Sequence, residues 1–261
     1  MMLIWALVIS GFISVIVNYS RLADAFANSI SFAGLVRYGL AVVLIKVIHE
    51  FAHAYTAKSF GCRVRKMGIA VVFFFPRFYS DLTDAWRVAN RWSRFVIDGA
   101  GIMSEIVAGG LAALVWSFSR PGMTREVAYY IFAVSIINTV FINGNPFIRY
   151  DGYYMLMDLL GIDNLQKRSS ELFRSIWQKH LFGLAPLHRE EITGFKRGFL
   201  VFYAVGACIY RIFLYTSIIL LVYYQFGPQI GIVLLTLEVY LLIFKPLSME
   251  VKNLWVQRGR I

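Results

Sequence analysis

The sequence predicts an all-α polytopic membrane protein with about six transmembrane helices and a short membrane-associated β-hairpin or strand between the second and third. Of its 261 residues, 59% are hydrophobic and 16% are charged, whereas soluble domains carry about 25% charged residues. The apolar residues gather in segments long enough to cross a hydrocarbon layer of about 30 Å. The six predicted spans are residues 2–18, 33–57, 95–118, 126–143, 198–226 and 229–244.

The first segment resembles a signal peptide only in part. Residues 1–20 have neither a positive n-region nor an A-x-A-like cleavage site, so we expect this span to be retained. The sequence contains no internal repeat, low-complexity tract or flexible linker. We therefore expect residues 1–261 to form one membrane-embedded domain. Its predicted parts are a core at about 33–163, an amphipathic interfacial helix at about 164–182 and C-terminal spans at about 198–246.

The net charge of +11 orients the predicted spans. The positive-inside rule places loops rich in Lys and Arg, and therefore both termini, in the cytoplasm. We expect a multi-pass protein of the bacterial cytoplasmic membrane whose basic loops meet anionic lipid of the bilayer, and no nucleic-acid partner. The basic residues between the second and third spans are Lys58, Arg63, Arg65, Lys66, Arg77, Arg87, Arg91 and Arg94, and those between the fourth and fifth include Arg149, Lys167, Arg168, Arg174 and Lys179.

One apolar run lies between the second and third spans and is too short to cross a membrane. Residues 68–75 are rich in β-branched and aromatic side chains and end at Pro76. We expect a membrane-dipping strand or hairpin. Its free edge could pair with an extended peptide, or the strand could simply pack on the helices.

The second span carries the pentapeptide His49-Glu50-Phe51-Ala52-His53. Two histidines four residues apart share one face of a helix, so both imidazoles can reach one metal ion. Glu50 is placed to act as general base on a metal-bound water. Because ionisable residues are costly inside a membrane, such a cluster predicts a functional site. The alternative is a polar contact between helices.

A catalytic zinc ion needs three protein ligands and an open position for water. The candidates for the third ligand are His180 and His188 in the cytoplasmic loop, Asp98 and Glu105 on the third span, and Asp151 after the fourth. Asp151 is the best placed, because Gly144 and Pro146 break the fourth span just before it. Irregular backbone at membrane depth is tolerated where it lines a cavity.

These two segments together resemble the paired signature of the site-2 protease family of intramembrane zinc metalloproteases. The pattern is His49-Glu50-x-x-His53, followed on a later span by Asn143-x-x-Pro146 and then Asp151-Gly152. The sequence of residues 145–154 also resembles that of the bacterial branch of peptide zinc metalloproteases. The resemblance covers residues 36–163, and outside them the spans match by hydrophobicity alone.

The resemblance implies a set of roles. His49, His53 and Asp151 would bind Zn²⁺, Glu50 would be the general base, and Asn143 and Pro146 would contact the backbone of a transmembrane or membrane-associated peptide substrate. One departure lies on the third span, where the family often has Ala-Gly-Pro-x-x-Asn. This chain has Ala100-Gly101 followed by isoleucine instead of proline and Glu105 instead of asparagine.

Two other functions stay open beside an intramembrane endopeptidase. One is a zinc transporter that uses the same ligands without hydrolysis, although transport requires neither Glu50 nor the broken helix. The other is an inactive relative that binds peptides in the membrane or assembles with a transporter. Lys46, one turn before His49, is expected to pair with Glu105 or Asp98, or else to adjust the charge of the metal site.

Overall fold

The computed structural model describes residues 2–29, 31–72, 75–182 and 194–244. The chain divides into two compact units, Met1–Asn164 and Leu165–Ile261. The expectation of one membrane-embedded domain therefore stays a prediction, and each unit is described by itself.

The described residues of the first unit form six α-helices and a β-hairpin. Helices α3 and α4 have 28 residues each, or about 42 Å at 1.5 Å per residue, which exceeds a hydrocarbon thickness of about 30 Å. The elements are α1 (Met2–Val17), α2 (Tyr19–Ser29), α3 (Phe32–Ser59), β1 (Met67–Val72), β2 (Phe75–Ser80), a 3₁₀ turn (Thr83–Arg87), α4 (Arg91–Phe118), α5 (Met123–Ile137) and α6 (Asp151–Leu160).

Helix α5 changes into a π-helical turn over Asn138–Asn143 and ends there. Gly144 follows directly, and Pro146 two residues later cannot donate the backbone hydrogen bond that would continue the helix. The chain then runs through a short irregular segment before α6 begins at Asp151. Wide helical turns of this kind are rare and often lie at functional sites.

The hairpin between α3 and α4 is an antiparallel pair of strands, so the hairpin form of the prediction is confirmed. Its predicted limits are wrong, because β2 runs through Pro76 as far as Ser80. Proline is tolerated in a sheet of two strands, where each strand has a free edge that needs no N–H donor. Pro76 pairs with Val71, while Phe73 and Phe74 of the predicted run lie outside the described residues.

Helix α4 is central in the first unit and packs against α1, α3, α5 and α6. Small residues let its neighbours approach closely, as is common between membrane helices. Gly11 of α1 faces the backbone of Gly110, and Gly109 faces Ser135 of α5. Around them Trp116 and Ala113 form part of a buried apolar core.

In the described residues, four helical segments are long and apolar enough to cross a membrane, and a fifth is obtained if α1 and α2, bent by 78°, count as one span. The predicted sixth span falls on α9 (Pro228–Val239) and a π turn (Tyr240–Phe244), which together are too short to qualify. The count of six therefore stays a prediction. The four segments are Phe32–Ser59, Arg91–Phe118, Met123–Asn143 and Phe195–Tyr224.

The described residues of the second unit, 165–182 and 194–244, form α7 (Leu165–Phe182), α8 (Phe195–Phe226), α9 and the π turn. Helix α7 covers the segment predicted to be amphipathic. Its Leu165 and Ser169 are fully buried, whereas the side chains of Lys167 and Glu171 are exposed. Whether α7 lies at the membrane surface stays a prediction.

Candidate metal centre

The two histidines of α3 lie one turn apart and both are buried. Their ring centroids are 4.7 Å apart, and the two Nε2 atoms are separated by 3.2 Å. Asp151, the first residue of α6, reaches the same point. Its Oδ2 lies 3.1 Å from Nε2 of His49 and 3.3 Å from Nε2 of His53. Three potential ligand atoms thus converge from two helices, although His53 and Asp151 are 98 residues apart in sequence.

The spacing of these three atoms suits a zinc ion. A tetrahedral zinc with ligands at about 2.0–2.1 Å holds those ligands about 3.3–3.4 Å apart. The observed separations of 3.1 to 3.3 Å are close to this expected distance between ligand atoms. Two imidazoles and one carboxylate are also a donor set found in catalytic zinc sites. Zinc therefore fits the residues present.

Among the described residues, His49, His53 and Asp151 are the one group of three that could hold a metal ion. Glu105 contacts His49 through Nδ1, the nitrogen that faces away from the cluster. Asp98 lines the cavity that opens onto these three residues, but it does not belong to the group. His188 and the side chain of His180 lie outside the described residues.

Asp151 lies beyond the Met123–Asn143 span and carries the charge that a metal ligand needs. Burial alone would raise its pKa, but the hydrogen bonds and positive charge of His49 and His53 hold the pKa below its ordinary value. The carboxylate is therefore ionised at neutral pH. A metal ion binds only the deprotonated form of a carboxylate.

Acceptors on the far side of each ring fix the orientation of the two histidines. Nδ1 of His53 lies 2.8 Å from the carbonyl oxygen of Ile97, and Nδ1 of His49 lies 3.0 Å from Oε1 of Glu105. Both partners are acceptors, so we assign the ring proton to Nδ1 in each case. With a metal ion bound, this arrangement would leave Nε2 of each ring deprotonated and directed at the metal.

Gly101 of α4 packs directly against both imidazoles. A Cβ at this position would lie 2.5 Å from Nε2 of His53 and 2.6 Å from Nδ1 of His49, far inside van der Waals contact. The absence of a side chain is what allows α4 to approach the histidine face of α3. Close helix packing at this glycine is therefore part of the construction of the site itself.

A polar cluster lies behind His49. Glu105 is fully buried, and Nζ of Lys46 lies 3.4 Å from its Oε1, so Lys46 pairs with Glu105 rather than with Asp98. Asn143 is also buried. Its Nδ2 donates to Oε1 of Glu105 at 2.7 Å, while its Oδ1 accepts from Lys46 at 3.3 Å.

The two residues predicted to bind substrate have different environments. Asn143 lines the cavity described below, but both ends of its amide are bound within the protein. Pro146 is half-buried in the segment after the π turn and does not belong to the described lining of the cavity. Their roles in substrate binding stay predictions.

Glu50 is held by the hairpin. Oγ of Ser80, the last residue of β2, lies 2.5 Å from Oε2 of Glu50 and 3.1 Å from its backbone oxygen. Among the described residues no hydrogen bond is recorded for Oε1 of Glu50. Ser80 therefore connects the hairpin to α3 at the proposed base. No pattern in the sequence predicts this contact, because Ser80 is marked only by its hydroxyl group.

A cavity of about 1110 Å³ opens onto the site. It is large for a ligand pocket, which typically has a volume of about 300–1,000 Å³. Strand β2 forms one wall from Pro76 to Ser80. The other described lining residues include His49, Glu50, His53, Asp151, Tyr38, Trp86, Tyr154, Arg77 and Arg149.

Comparisons with known proteins agree with the resemblance seen in the sequence. Residues 38–141 match the profile described as Peptidase family M50, a range that includes His49, Glu50 and His53 but ends before Asp151. The chain is 25% identical over 122 residues to the "Putative peptide zinc metalloprotease protein YydH" of Bacillus subtilis (strain 168). That alignment covers 46% of this chain and 46% of the relative, about half of each. No solved structure matches the chain.

Proposed function

Because residues 38–141 match the profile of peptidase family M50, we propose that the chain is an intramembrane zinc metalloendopeptidase of the site-2 protease type. Its substrates would be transmembrane or membrane-associated peptides. The observation that carries this proposal is the convergence of His49 Nε2, His53 Nε2 and Asp151 Oδ2 at 3.1 to 3.3 Å, beside Glu50 in one cavity.

His49, His53 and Asp151 would hold the metal ion. When bound there, zinc would polarise a carbonyl oxygen and lower the pKa of a coordinated water to about 7. These two effects are what peptide hydrolysis needs at neutral pH. A structural zinc site would use a fourth protein ligand instead, and the group found in the described residues has three members.

Glu50 would move the proton. Ser80 donates to Oε2, which fixes the carboxylate and leaves Oε1 as the oxygen that accepts a proton from water. The same carboxyl group would then give that proton to the leaving amine. A glutamate between the two histidines suits this task, because the helix that carries all three residues fixes its position relative to the ligands.

The cavity and hairpin would receive the substrate. A peptide in helical form shields its carbonyl groups, so it must unwind before it can be cut. An unwound segment would need hydrogen-bond partners, which membrane lipid cannot supply. Strand β2 lines the cavity next to Glu50, so we propose that its free edge pairs with the extended substrate.

We also propose the orientation of the chain in a bacterial cytoplasmic membrane. Six spans with both termini in the cytoplasm would place the basic residues that follow α3 on the cytoplasmic side. Lys58, Arg63, Arg65 and Lys66 all lie within a few residues of the end of that helix. The histidines would then lie in the cytoplasmic half of the membrane, where water can enter through the cavity.

The experiment that tests this function compares wild type with Glu50→Gln on a panel of model transmembrane peptides in detergent. We expect the wild type to cleave at least one peptide, and Glu50→Gln to lose cleavage while keeping about one zinc per chain. Glu171→Gln serves as a matched control, since Glu171 is an exposed glutamate on α7, and it should cleave like wild type.

The other outcomes favour other functions. Zinc binding without cleavage of any peptide would favour an inactive peptide-binding relative or a zinc transporter. Cleavage that survives Glu50→Gln would overturn the role of Glu50 as the base. A wild-type protein that binds no zinc would refute the proposal as a whole.

A further inference from the structure

We propose that Glu105 is a positioning residue for the metal centre: its carboxylate, paired with Lys46, orients His49 and strengthens it as a ligand. This inference rests on the proposed function, because it concerns the same metal site. Glu105 stands where the pattern on the third span often has asparagine, so the chain has a charged group where a neutral one is usual. The sequence alone offered Glu105 only as an alternative ligand or a partner of Lys46.

The burial of Glu105 requires an explanation. Its side chain has no exposed surface and lies within α4, one of the four apolar segments. An ionised carboxylate in such surroundings costs several kcal/mol unless it is paired and hydrogen-bonded. A side chain whose task was only to fill space would not need this charge.

Four donors surround the carboxylate of Glu105. Oε1 accepts hydrogen bonds from Nδ1 of His49 at 3.0 Å and from Nδ2 of Asn143 at 2.7 Å. It also accepts one from Nζ of Lys46 at the longer distance of 3.4 Å. Oε2 accepts a hydrogen bond from Oγ1 of Thr139 at 2.8 Å. Three of the four donors thus meet at the oxygen that faces the histidine.

Lys46 places a positive charge beside the carboxyl group of Glu105. Its ammonium lies within ion-pair distance of Oε1 and also donates to Oδ1 of Asn143. Asn143 in turn donates to Glu105, so the three side chains form a closed ring. This ring holds Oε1 in place as an acceptor for the N–H of His49.

The two histidines therefore have unequal partners. His53 donates Nδ1–H to a neutral backbone carbonyl of Ile97, whereas His49 donates to a carboxylate. A carboxylate partner raises the basicity of a metal-binding imidazole more than a neutral acceptor does. His49 would therefore be the stronger of the two imidazole ligands, because its partner is the carboxylate of Glu105.

The test uses two changes at Glu105 and one matched control. Glu105→Gln keeps the shape and an acceptor oxygen but removes the charge, and Glu105→Met removes the acceptor as well. Thr139→Val removes the donor to Oε2 and leaves the oxygen that faces His49 untouched. For each purified protein we would measure the zinc dissociation constant by competition with a chelator, the visible spectrum of the cobalt(II) form, and the melting temperature without metal.

We expect zinc to bind about 10-fold more weakly to Glu105→Gln and about 100-fold more weakly to Glu105→Met, the range found when such partners of ligands are changed. The cobalt spectrum, which reports the geometry and strength of the ligands, should shift in both. Thr139→Val should keep the wild-type spectrum and affinity. If Glu105→Met fails to fold, Glu105→Gln decides the matter.

Wild-type zinc affinity and an unchanged cobalt spectrum in Glu105→Gln and in a folded Glu105→Met would overturn the inference. The same would hold if Thr139→Val weakened zinc binding as much as Glu105→Gln. These readouts do not depend on cleavage. A wild-type protein that binds zinc but cuts nothing would count against the proposed protease while this test still decides the role of Glu105. A wild type without zinc would refute both.

Discussion

Replacing Gly101 with alanine should disrupt the metal centre without touching any of its ligands. The new Cβ would lie 2.5 Å from Nε2 of His53 and 2.6 Å from Nδ1 of His49. Because non-bonded carbon contacts are favourable only from about 3.5 Å outward, one or both rings must move by about 1 Å. Zinc ligand distances tolerate deviations of only about 0.2 Å. A shift of this size therefore breaks the set of three ligands.

We expect Gly101→Ala to weaken zinc binding at least about 100-fold and to cost about 1–3 kcal/mol of stability by overpacking. Zinc affinity would be measured by chelator competition, and stability by thermal unfolding in detergent. Gly39→Ala is the control, since Gly39 lies on the same helix as the histidines and nothing lies within 4 Å of a Cβ built there. Wild-type zinc affinity in Gly101→Ala would refute the close packing of α4 against the histidines.

Two further predictions concern contacts that hold the site together. Ser80→Ala removes the hydroxyl that fixes Oε2 of Glu50, so we expect peptide cleavage to slow about 10-fold or more with zinc content unchanged; an equal rate would show that Ser80 does not position the base. Arg94 of α4 is partly exposed and binds the buried Asp158 of α6 at 2.8 and 2.9 Å, and α6 begins at Asp151. Arg94→Met leaves the Asp158 carboxylate unpaired, so we expect about 3–5 kcal/mol lower stability and weaker zinc binding, and a melting temperature equal to wild type would contradict this.

Helical periodicity was enough to predict the part of the site that lies on one element. His49, Glu50 and His53 are neighbours on α3, and their spacing fixes their relative positions before any tertiary contact forms. The break after Asn143 could also be predicted, because Gly144 disfavours a helix and Pro146 cannot donate the backbone hydrogen bond that would continue one. Periodicity does not predict Asp151 as a ligand; the preceding helix break and the family resemblance do.

The contacts that complete the site could not be predicted, because they join residues far apart in sequence. Ser80 is 30 residues from Glu50, and Thr139 is 34 from Glu105. No local pattern marks either hydroxyl. The carbonyl of Ile97 that orients His53 belongs to the backbone, which every residue has. Only the packing of α4 and the hairpin against α3 selects these partners.

The hairpin shows the limit of propensity. The β-branched and aromatic run predicts a strand that ends at Pro76. Proline ends a strand only where its missing N–H would be needed by a neighbour. The structure continues β2 to Ser80, and this extension carries the hydroxyl that meets Glu50.

The central claim is that His49, His53 and Asp151 together hold one zinc ion. Zinc K-edge X-ray absorption spectroscopy on the purified, zinc-loaded protein tests it most directly. We predict nitrogen and oxygen ligands only, at about 2.0–2.2 Å, with the multiple-scattering signal of two imidazoles. A sulfur ligand at about 2.3 Å, or a signal without two imidazoles, would contradict the assignment.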